Sequence, residues 1–277
     1  SDLQSCFDTM FDPQRDCFVA YFSDDAVLAV RSESGEIMFF DLDISKCDSS
    51  HRTPMFEALH ACVPEVASSA STAALAQCTQ NFMFVNPENK KQRVIMKSNI
   101  GPRMPSGWGG TTVMNDAASL SAAVAIAESG ATTTEGIQKA TATAGYKYTV
   151  KQAATRHQIQ FLKHSPTRDL EGNWRPVLNF GVFLGASGVC KRDLPGRGDI
   201  EPRARAFMKA LIKGMYPRTH APCLDKLRAK FADAHVDQTM QSFVDRSKRY
   251  LCTQAGKTDH YFTDEEFFAR YDLEPYA

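Results

Sequence analysis

The sequence predicts an α+β fold, in which a small antiparallel sheet with helices precedes a helical C-terminal part. Three observations lead to this class. Short segments rich in strand formers alternate with turn residues up to residue 43. Gly- and Ala-rich segments in the middle of the chain are typical of loops and helices. Beyond residue 202 a stripe of apolar side chains recurs at helical spacing, formed by Phe207, Met208, Leu211, Ile212 and Met215.

The N-terminal part predicts a three-stranded meander. Residues 17–22 and 26–31 are strand-like and flank the turn signal Ser23-Asp24-Asp25. The segment SESGE reverses the chain again, and IMFFDLD at 37–43 follows as the third strand. The meander is therefore held together by two tight turns.

The elements that follow are assigned from caps, turns and periodicity. Pro54 suits a first helical position, and Gly130 and Gly145 are typical helix ends. In chain order, we expect a helix at 54–63, a hairpin of 81–86 with 92–98, a Gly-rich loop at 101–115, helices at 116–128 and 133–144, and strands near 146–151, 158–163 and 176–184.

The composition is that of an ordinary globular protein and argues against several other classes. The chain has 277 residues, 43% of them hydrophobic and 23% charged, which suits a globular protein with a real core. No apolar run approaches the roughly 20 residues of a membrane helix, and the N-terminus does not resemble a secretory signal. The eight cysteines show no CxxC, which disfavours a zinc or disulfide framework. A formal net charge of zero gives no general attraction to nucleic acid.

Register arithmetic brings three carboxylates together. Partners in an antiparallel pair sum to a constant, and a reversal centred between 33.5 and 34.5, in the middle of the turn 32–36, places Asp43 opposite residue 24, 25 or 26. Asp24, Asp25 and Asp43 therefore gather at one edge of the predicted sheet. Such acids repel one another unless a cation intervenes, and oxygen ligands of this kind suit Mg²⁺ or Mn²⁺. Adjacent acids in a hairpin turn are also common as solvated turn residues, so this pair alone leaves both interpretations open.

The segment PSGWGGTTVMND strengthens the first interpretation. It resembles motif B of viral RNA-dependent RNA polymerases, SGxxxTxxxN, and matches it at Ser106, Gly107, Thr111 and Asn115. A Gly-rich loop that leads into a helix also has the freedom to approach a ligand closely.

Two further palm motifs accompany it. Asp43 and Asp48 match the spacing of motif A, and Ser23-Asp24-Asp25 resembles motif C, with Ser where the family usually has Gly. AGYKYTVK at 144–151 lies where motif D belongs, and QFLKHSP at 160–166 resembles motif E.

The order of the motifs departs from the usual one. Ordinary polymerases run A-B-C-D-E, whereas this chain runs C-A-B-D-E, and between Asn115 and Gly145 it has no adjacent acidic pair. This permuted order resembles that of birnavirus and permutotetravirus polymerases. The intact Asp-Asp pair favours a permutotetravirus-like relative.

The resemblance implies a role for each matched residue in the catalytic and sugar-reading sites. Asp24 and Asp43 bridge two Mg²⁺ or Mn²⁺ ions, and Asp25 is a weaker or indirect ligand. Asp48 and Asn115 read the 2′-hydroxyl of the incoming ribonucleotide. Ser106, Gly107 and Thr111 support that network from the motif B loop.

Further roles are implied outside this centre. Lys151 is the general acid for pyrophosphate, with Lys147 as the alternative, and a solvated strand-edge charge is the other interpretation of either. Phe161, Leu162 and Lys163 abut the primer end, although a plain core strand also fits them.

The resemblance also implies an organisation and partners. Residues 1–189 are expected to form a palm with a fingers remnant at about 67–105, and residues 190–277 a helical thumb portion, with the upstream fingers missing. The partners are an RNA template and primer, ribonucleoside triphosphates and other viral replication proteins, in the host cytoplasm. A basic run could meet RNA phosphates or be solvated: Lys90, Lys91, Arg93, Lys97 and Arg103.

Two other functions fit part of the pattern. A reverse transcriptase-like palm also carries paired aspartates in a hairpin, but the motif B loop and the Asp48–Asn115 pair argue against it. A non-catalytic palm that binds RNA is the other, and the intact acids argue against that. His51 is assigned no role.

Overall fold

The computed structural model describes residues 3–79, 82–96, 102–105, 107–188, 194–249, 259–261 and 263–271. The chain divides into two compact units. The central unit is Asp16–Gln152, and the terminal unit combines Ser1–Arg15 with Ala153–Ala277. This division by packing differs from the boundary expected at 189–190 between palm and thumb, which stays a prediction.

Helices and strands alternate irregularly along the chain, as expected of an α+β fold. In chain order the elements are α1 Leu3–Met10, β1 Cys17–Phe22, β2 Asp25–Arg31, β3 Ile37–Ile44, α2 Cys47–Ser50, α3 Thr53–Ala61, α4 Ser68–Thr79, β4 Phe82–Val85, β5 Arg93–Met96, α5 Thr111–Ser129, α6 Thr134–Thr143, β6 Tyr148–Ala153, β7 His164–Arg168, β8 Trp174–Leu178, α7 Phe180–Gly188, α8 Ile200–Met215, β9 Thr219–His220, α9 Pro222–Lys230, α10 Gln238–Ser247, β10 His260–Tyr261 and α11 Asp264–Tyr271.

A four-stranded sheet with the order β1-β2-β3-β6 organises the central unit. β1 and β2 are antiparallel, and so are β2 and β3, so the predicted meander is confirmed. Asp25 pairs with Asp43, which lies within the predicted register. β6 is the neighbour of β3 on the side away from β2.

One face of this sheet packs against α5 and α6. Leu28 and Phe40 on the sheet and Ile137 on α6 are almost fully buried, which stabilises the fold by about 1.5–3 kcal/mol for each side chain. The helix side contributes small residues of α5, Ala118 and Ala122, which let the helix lie close to the strands. This packing holds the N-terminal half of α5 beside the sheet edge.

The C-terminal ends of α5 and α6 lie at the predicted glycines, but the start of α5 differs from the prediction. α5 ends at Gly130, with φ 62°, and α6 is followed by Gly145, with φ 87°, and both backbone angles favour glycine. The predicted start of α5 at 116 was wrong, because the helix begins at Thr111 and includes Asn115. The motif B residues Thr111 and Asn115 therefore lie on a helix rather than in a loop.

The segment predicted as the fingers remnant contains α4, which the sequence analysis did not assign, and the β4–β5 hairpin. The hairpin confirms the predicted pairing of 81–86 with 92–98, with Met83 opposite Ile95. Both of these apolar side chains are exposed.

The terminal unit contains a small hairpin and a helical cluster. Two strand predictions were wrong here. The strand predicted near 158–163 is absent: residues 156–158 form a 3-10 turn, and the strand β7 begins only at His164. Leu162 and Lys163 have left-handed backbone, which prevents strand pairing before that residue. Residues 180–184 begin the apolar helix α7 and do not extend β8. The predicted stripe at 207–215 is confirmed as the buried face of α8, with Met208 only partly buried.

Candidate functional site

The predicted carboxylates lie at one edge of the central sheet. Asp25 and Asp43 are directly opposite each other on β2 and β3, and Asp24 is in the turn before β2. The N–H of Ile44 donates to the carbonyl oxygen of Asp24 at 3.4 Å, which joins the turn to the end of β3. Partial burial, together with the negative charge of Asp24, raises the pKa of Asp43. Asp24 and Asp43 are therefore close enough for the repulsion that the sequence pattern implied.

This set of donors suits a hard divalent cation in its chemistry. Carboxylate oxygens are the ligands that Mg²⁺ and Mn²⁺ prefer, and a cation would reverse the effect that raises the pKa of Asp43. Within the described ranges, no three His, Cys, Asp or Glu side chains are arranged as the ligands of one ion. The suitability of these residues for a divalent cation therefore rests on their carboxylate chemistry and on their position at one sheet edge.

Helix α5 holds the turn at Ser23 with three side chains. The Ser23 N–H donates to Asp116 Oδ1 at 2.6 Å, and its carbonyl accepts from Ser119 Oγ at 2.7 Å. Its hydroxyl accepts from Asn115 Nδ2 at 3.0 Å. Ser23 has φ 58°, a left-handed conformation that favours glycine, and glycine is the residue that the sequence comparison expected at this place.

The predicted pair Asp48 and Asn115 is in contact. Asn115 Nδ2 donates to Asp48 Oδ1 at 3.4 Å, and the Asn115 side chain is buried. The same amide nitrogen also donates to Ser23, so both of its N–H groups are used. The segments that resemble motifs A, B and C are thus joined through one amide group.

His51 continues this network into the core. Its Nε2 lies 2.8 Å from Asn115 Oδ1, and its Nδ1 lies 3.1 Å from the Tyr146 hydroxyl. His51 is 1% exposed, and burial lowers its pKa against the smaller opposing effects of Asn115 and Asp48. The sequence analysis gave this residue no role, and no signal in the sequence links positions 51, 115 and 146.

A buried thiol lies beneath the acids. Cys47 is buried on α2, with its Sγ 3.9 Å from His51 Nε2. Burial, followed by the charges of the nearby aspartates, raises the pKa of Cys47 to about 12. The aspartates whose charges it feels are Asp24, Asp48 and Asp43. The acids at the sheet edge and Asp48 are therefore close to this one thiol.

The loop before α5 has local structure of its own. Gly107 has φ 81°, and the Thr111 hydroxyl donates to the Trp108 carbonyl at 2.7 Å. A Cβ on Gly110 would meet the Trp108 ring at 2.3 Å, so the indole ring packs directly on this glycine. Ser106 lies outside the described residues. The Thr111 hydroxyl therefore stabilises the start of the helix through Trp108.

The predicted general acid lies on β6. Lys151 is exposed and alternates with Tyr148 and Val150, which face the helix side, so it projects from the same sheet face as Asp43. Ser45, just beyond β3, donates its N–H to the Lys147 carbonyl at 2.9 Å. Lys147 and Lys151 therefore share the face that carries the acids.

The predicted primer-binding residues are in the terminal unit. Phe161 is buried and exchanges two backbone hydrogen bonds of 2.9 Å with His164. Leu162 and Lys163 form the tip of this tight turn, with φ values of 50° and 67°, and Lys163 is exposed.

The basic run is exposed wherever the structure describes it. Its described members are Lys90, Lys91, Arg93 and Arg103. Lys97 lies outside the described residues.

Comparison with solved structures identifies the class of fold. The X-ray structure of the birnavirus VP1-VP3 complex matches 88% of this chain with a TM-score of 0.54 and 12% sequence identity. The RNA polymerase VP1 from infectious pancreatic necrosis virus matches 92% of it with a TM-score of 0.50 and 12% identity. The chain thus shares the fold of part of these viral polymerases.

The match covers only part of the two viral chains. The chain spans 36% and 37% of the two matched chains. No protein-family model and no curated protein matches the sequence. In the described parts of the chain, no helix combines the length and hydropathy needed to cross a membrane.

Proposed function

We propose that this chain carries the palm of an RNA-dependent RNA polymerase, which joins ribonucleoside triphosphates on an RNA template during viral genome replication and transcription. One observation carries the proposal. Three segments distant in sequence meet in one place, where Asp43 pairs with Asp25 and Asp48 bonds to Asn115. They do so within a fold similar to that of viral RNA polymerases.

The acids at the sheet edge would hold two Mg²⁺ or Mn²⁺ ions. Asp24 and Asp43 would be the principal ligands, and Asp25 would be a weaker or indirect one. The ions, when bound, lower the pKa of the primer 3′-hydroxyl and neutralise charge on the phosphates. Lys151, on the same face as Asp43, donates a proton to the leaving pyrophosphate, and Lys147 is the alternative donor.

Asp48 is the residue that contacts the sugar in this proposal. Both N–H groups of Asn115 are used by Ser23 and Asp48, and Asn115 is buried, so it acts by holding Asp48. The Asp48 carboxylate retains further lone pairs that can accept from a 2′-hydroxyl. A deoxynucleotide leaves that acceptor unpaired, which disfavours it.

The proposed partners are an RNA template, a primer end and a second viral protein. Phe161, Leu162 and Lys163 would support the primer end, with Lys163 available at the turn tip. One matched structure is a VP1-VP3 complex, which supports a partner protein for this chain as well. The host cytoplasm is the proposed compartment.

Primer extension on an RNA template tests the proposal. We expect the full-length protein to incorporate ribonucleotides in the presence of Mg²⁺ or Mn²⁺, and Asp43→Asn to abolish incorporation. Asp41→Asn is a matched control, because Asp41 lies two residues earlier on the same strand face. Equal incorporation of deoxynucleotides would favour a reverse transcriptase-like enzyme. Metal-independent RNA binding without incorporation would favour a non-catalytic palm.

A further inference from the structure

The groups around the Asn115 amide determine which nitrogen of His51 donates to it. The amide nitrogen of Asn115 faces two oxygens, those of Ser23 and Asp48, so its carbonyl oxygen faces His51. Nε2 of His51 must then carry the proton, because a carbonyl oxygen only accepts.

The other nitrogen of the His51 ring is then an acceptor. A neutral imidazole has one N–H, so Nδ1 accepts from the Tyr146 hydroxyl, 3.1 Å away. Burial lowers the pKa of His51, which favours this neutral form. A directional chain therefore runs from Tyr146 through His51 to Asn115 and ends on Asp48 and Ser23.

We propose that His51, oriented by Tyr146, is a positioning residue for sugar selection, because it fixes the amide of Asn115 with its N–H groups toward Asp48 and Ser23. This inference rests on the proposed function of Asp48. His51 cannot contact a nucleotide itself, because it is 1% exposed. It acts by preventing rotation of the amide: a reversed amide would place its oxygen against the Asp48 carboxylate and its N–H groups against the His51 N–H.

The network also connects two functions of the site. Ser23 is the first residue of the catalytic turn, and it shares the Asn115 amide with Asp48. A displaced amide would therefore disturb the sugar-reading acid and the turn that carries Asp24 together. Tyr146, beyond α6, supplies the fixed end of the chain, with its ring edge-on to His51.

Two substitutions of similar size separate positioning from folding. In His51→Gln the amide nitrogen occupies about the position of Nε2, so the donor to Asn115 is kept. In His51→Asn the amide reaches only to about Nδ1, so that donor is lost. Ile137→Ala removes a buried side chain from the same core cluster and no hydrogen-bonding group of the network, and serves as a control for destabilisation alone.

The assay is the ratio of kcat/KM for ribonucleotide over deoxynucleotide in primer extension. We expect His51→Asn to lower this ratio about tenfold, the equivalent of one ordinary hydrogen bond, while His51→Gln stays within about threefold of wild type. Ile137→Ala should leave the ratio unchanged. Equal ratios in the Gln and Asn variants would overturn the proposal. If His51→Asn does not fold, Tyr146→Phe takes its place, and an unchanged ratio there would overturn it.

A crystallographic comparison separates this proposal from the proposed function. In His51→Asn, or in Tyr146→Phe if needed, we expect the Asn115 amide to leave the position in which Nδ2 faces Asp48, and in His51→Gln to keep it. An unchanged amide in the variant that lacks the donor overturns the positioning role, whatever the activity. A wild-type protein that extends no primer would instead refute the polymerase function, and the crystal structures would still decide the role of His51 in orienting Asn115.

Discussion

Ser23 offers a test in which backbone strain and a side-chain hydrogen bond oppose each other. Its φ of 58° strains any residue with a Cβ, while its hydroxyl accepts from the buried amide of Asn115. Ser23→Ala removes only the hydroxyl and keeps the strain. Ser23→Gly removes both. The two variants therefore measure the two effects separately.

The magnitudes follow from these two contributions. Loss of the hydroxyl leaves one N–H of Asn115 unpaired, which costs about 1–3 kcal/mol when no solvent reaches it. Ser23 is half-buried, so water can partly replace the hydroxyl, and we expect about 1–2 kcal/mol for Ser23→Ala. The left-handed conformation costs a residue with a Cβ about 1–2 kcal/mol. Ser23→Gly should therefore be within about 1 kcal/mol of wild type.

Thermal unfolding decides the order of stability. A difference of 1 kcal/mol corresponds to about 2–4 °C in Tm for a protein of this size. The Gly variant should melt above the Ala variant, and Ser34→Ala in the exposed turn between β2 and β3 should match wild type within about 0.5 kcal/mol. If the Ala variant is as stable as the Gly variant, Ser23 is not strained and the comparison with the glycine of motif C fails.

Three further results are expected. Asp24→Asn and Asp43→Asn should each abolish nucleotide addition, and wild-type extension rates in either variant would exclude that residue as a metal ligand. In EDTA, Asp43→Asn should also raise Tm at pH 7, because the pKa of the native Asp43 is raised and its charged form is disfavoured. Asp48→Ala should lower the preference for ribonucleotides more than it lowers turnover, measured with paired nucleotides in competition. Burial of neutral His51 should make the protein less stable as pH falls below about 6.5, because the pKa of His51 is lower in the folded state than in the unfolded state. A Tm difference between wild type and His51→Gln that does not change with pH would contradict this.

The parts of the fold set by local rules could be predicted from the sequence. The Asp25–Asp43 pairing followed from a short turn and the arithmetic of antiparallel strands. Gly130 and Gly145 marked helix ends because few other residues adopt their backbone angles. Helix α7 could not be predicted, because it is apolar on nearly every side and a short run of this kind has no period that separates helix from strand.

The candidate site divides in the same way. The acids and the Asp48–Asn115 pair were predictable because their residue types and spacing resemble known motifs. His51 was not, since its function depends on contacts with Asn115 and Tyr146, which are 64 and 95 positions away in the sequence. Asp116 and Ser119 were missed for a related reason. They hydrogen-bond to Ser23 because they lie on the face of α5 that meets the Ser23 turn, whereas the helix was predicted to start at 116.

The position of the hairpin that carries Asp24 and Asp25 in the chain and the geometry of its acids are separate properties. Asp25 faces Asp43 because β2 and β3 are antiparallel neighbours, and any connection that keeps them neighbours preserves this pairing. The connection here is a short turn closed by Ser32 and Glu36, where Gly35, with φ 84°, allows the reversal. A hairpin placed before its partner strand therefore needs only this turn. The contacts from α5 to Ser23 then locate the hairpin independently of chain order, because a hydrogen bond depends on where its two groups lie and not on how the chain connects them.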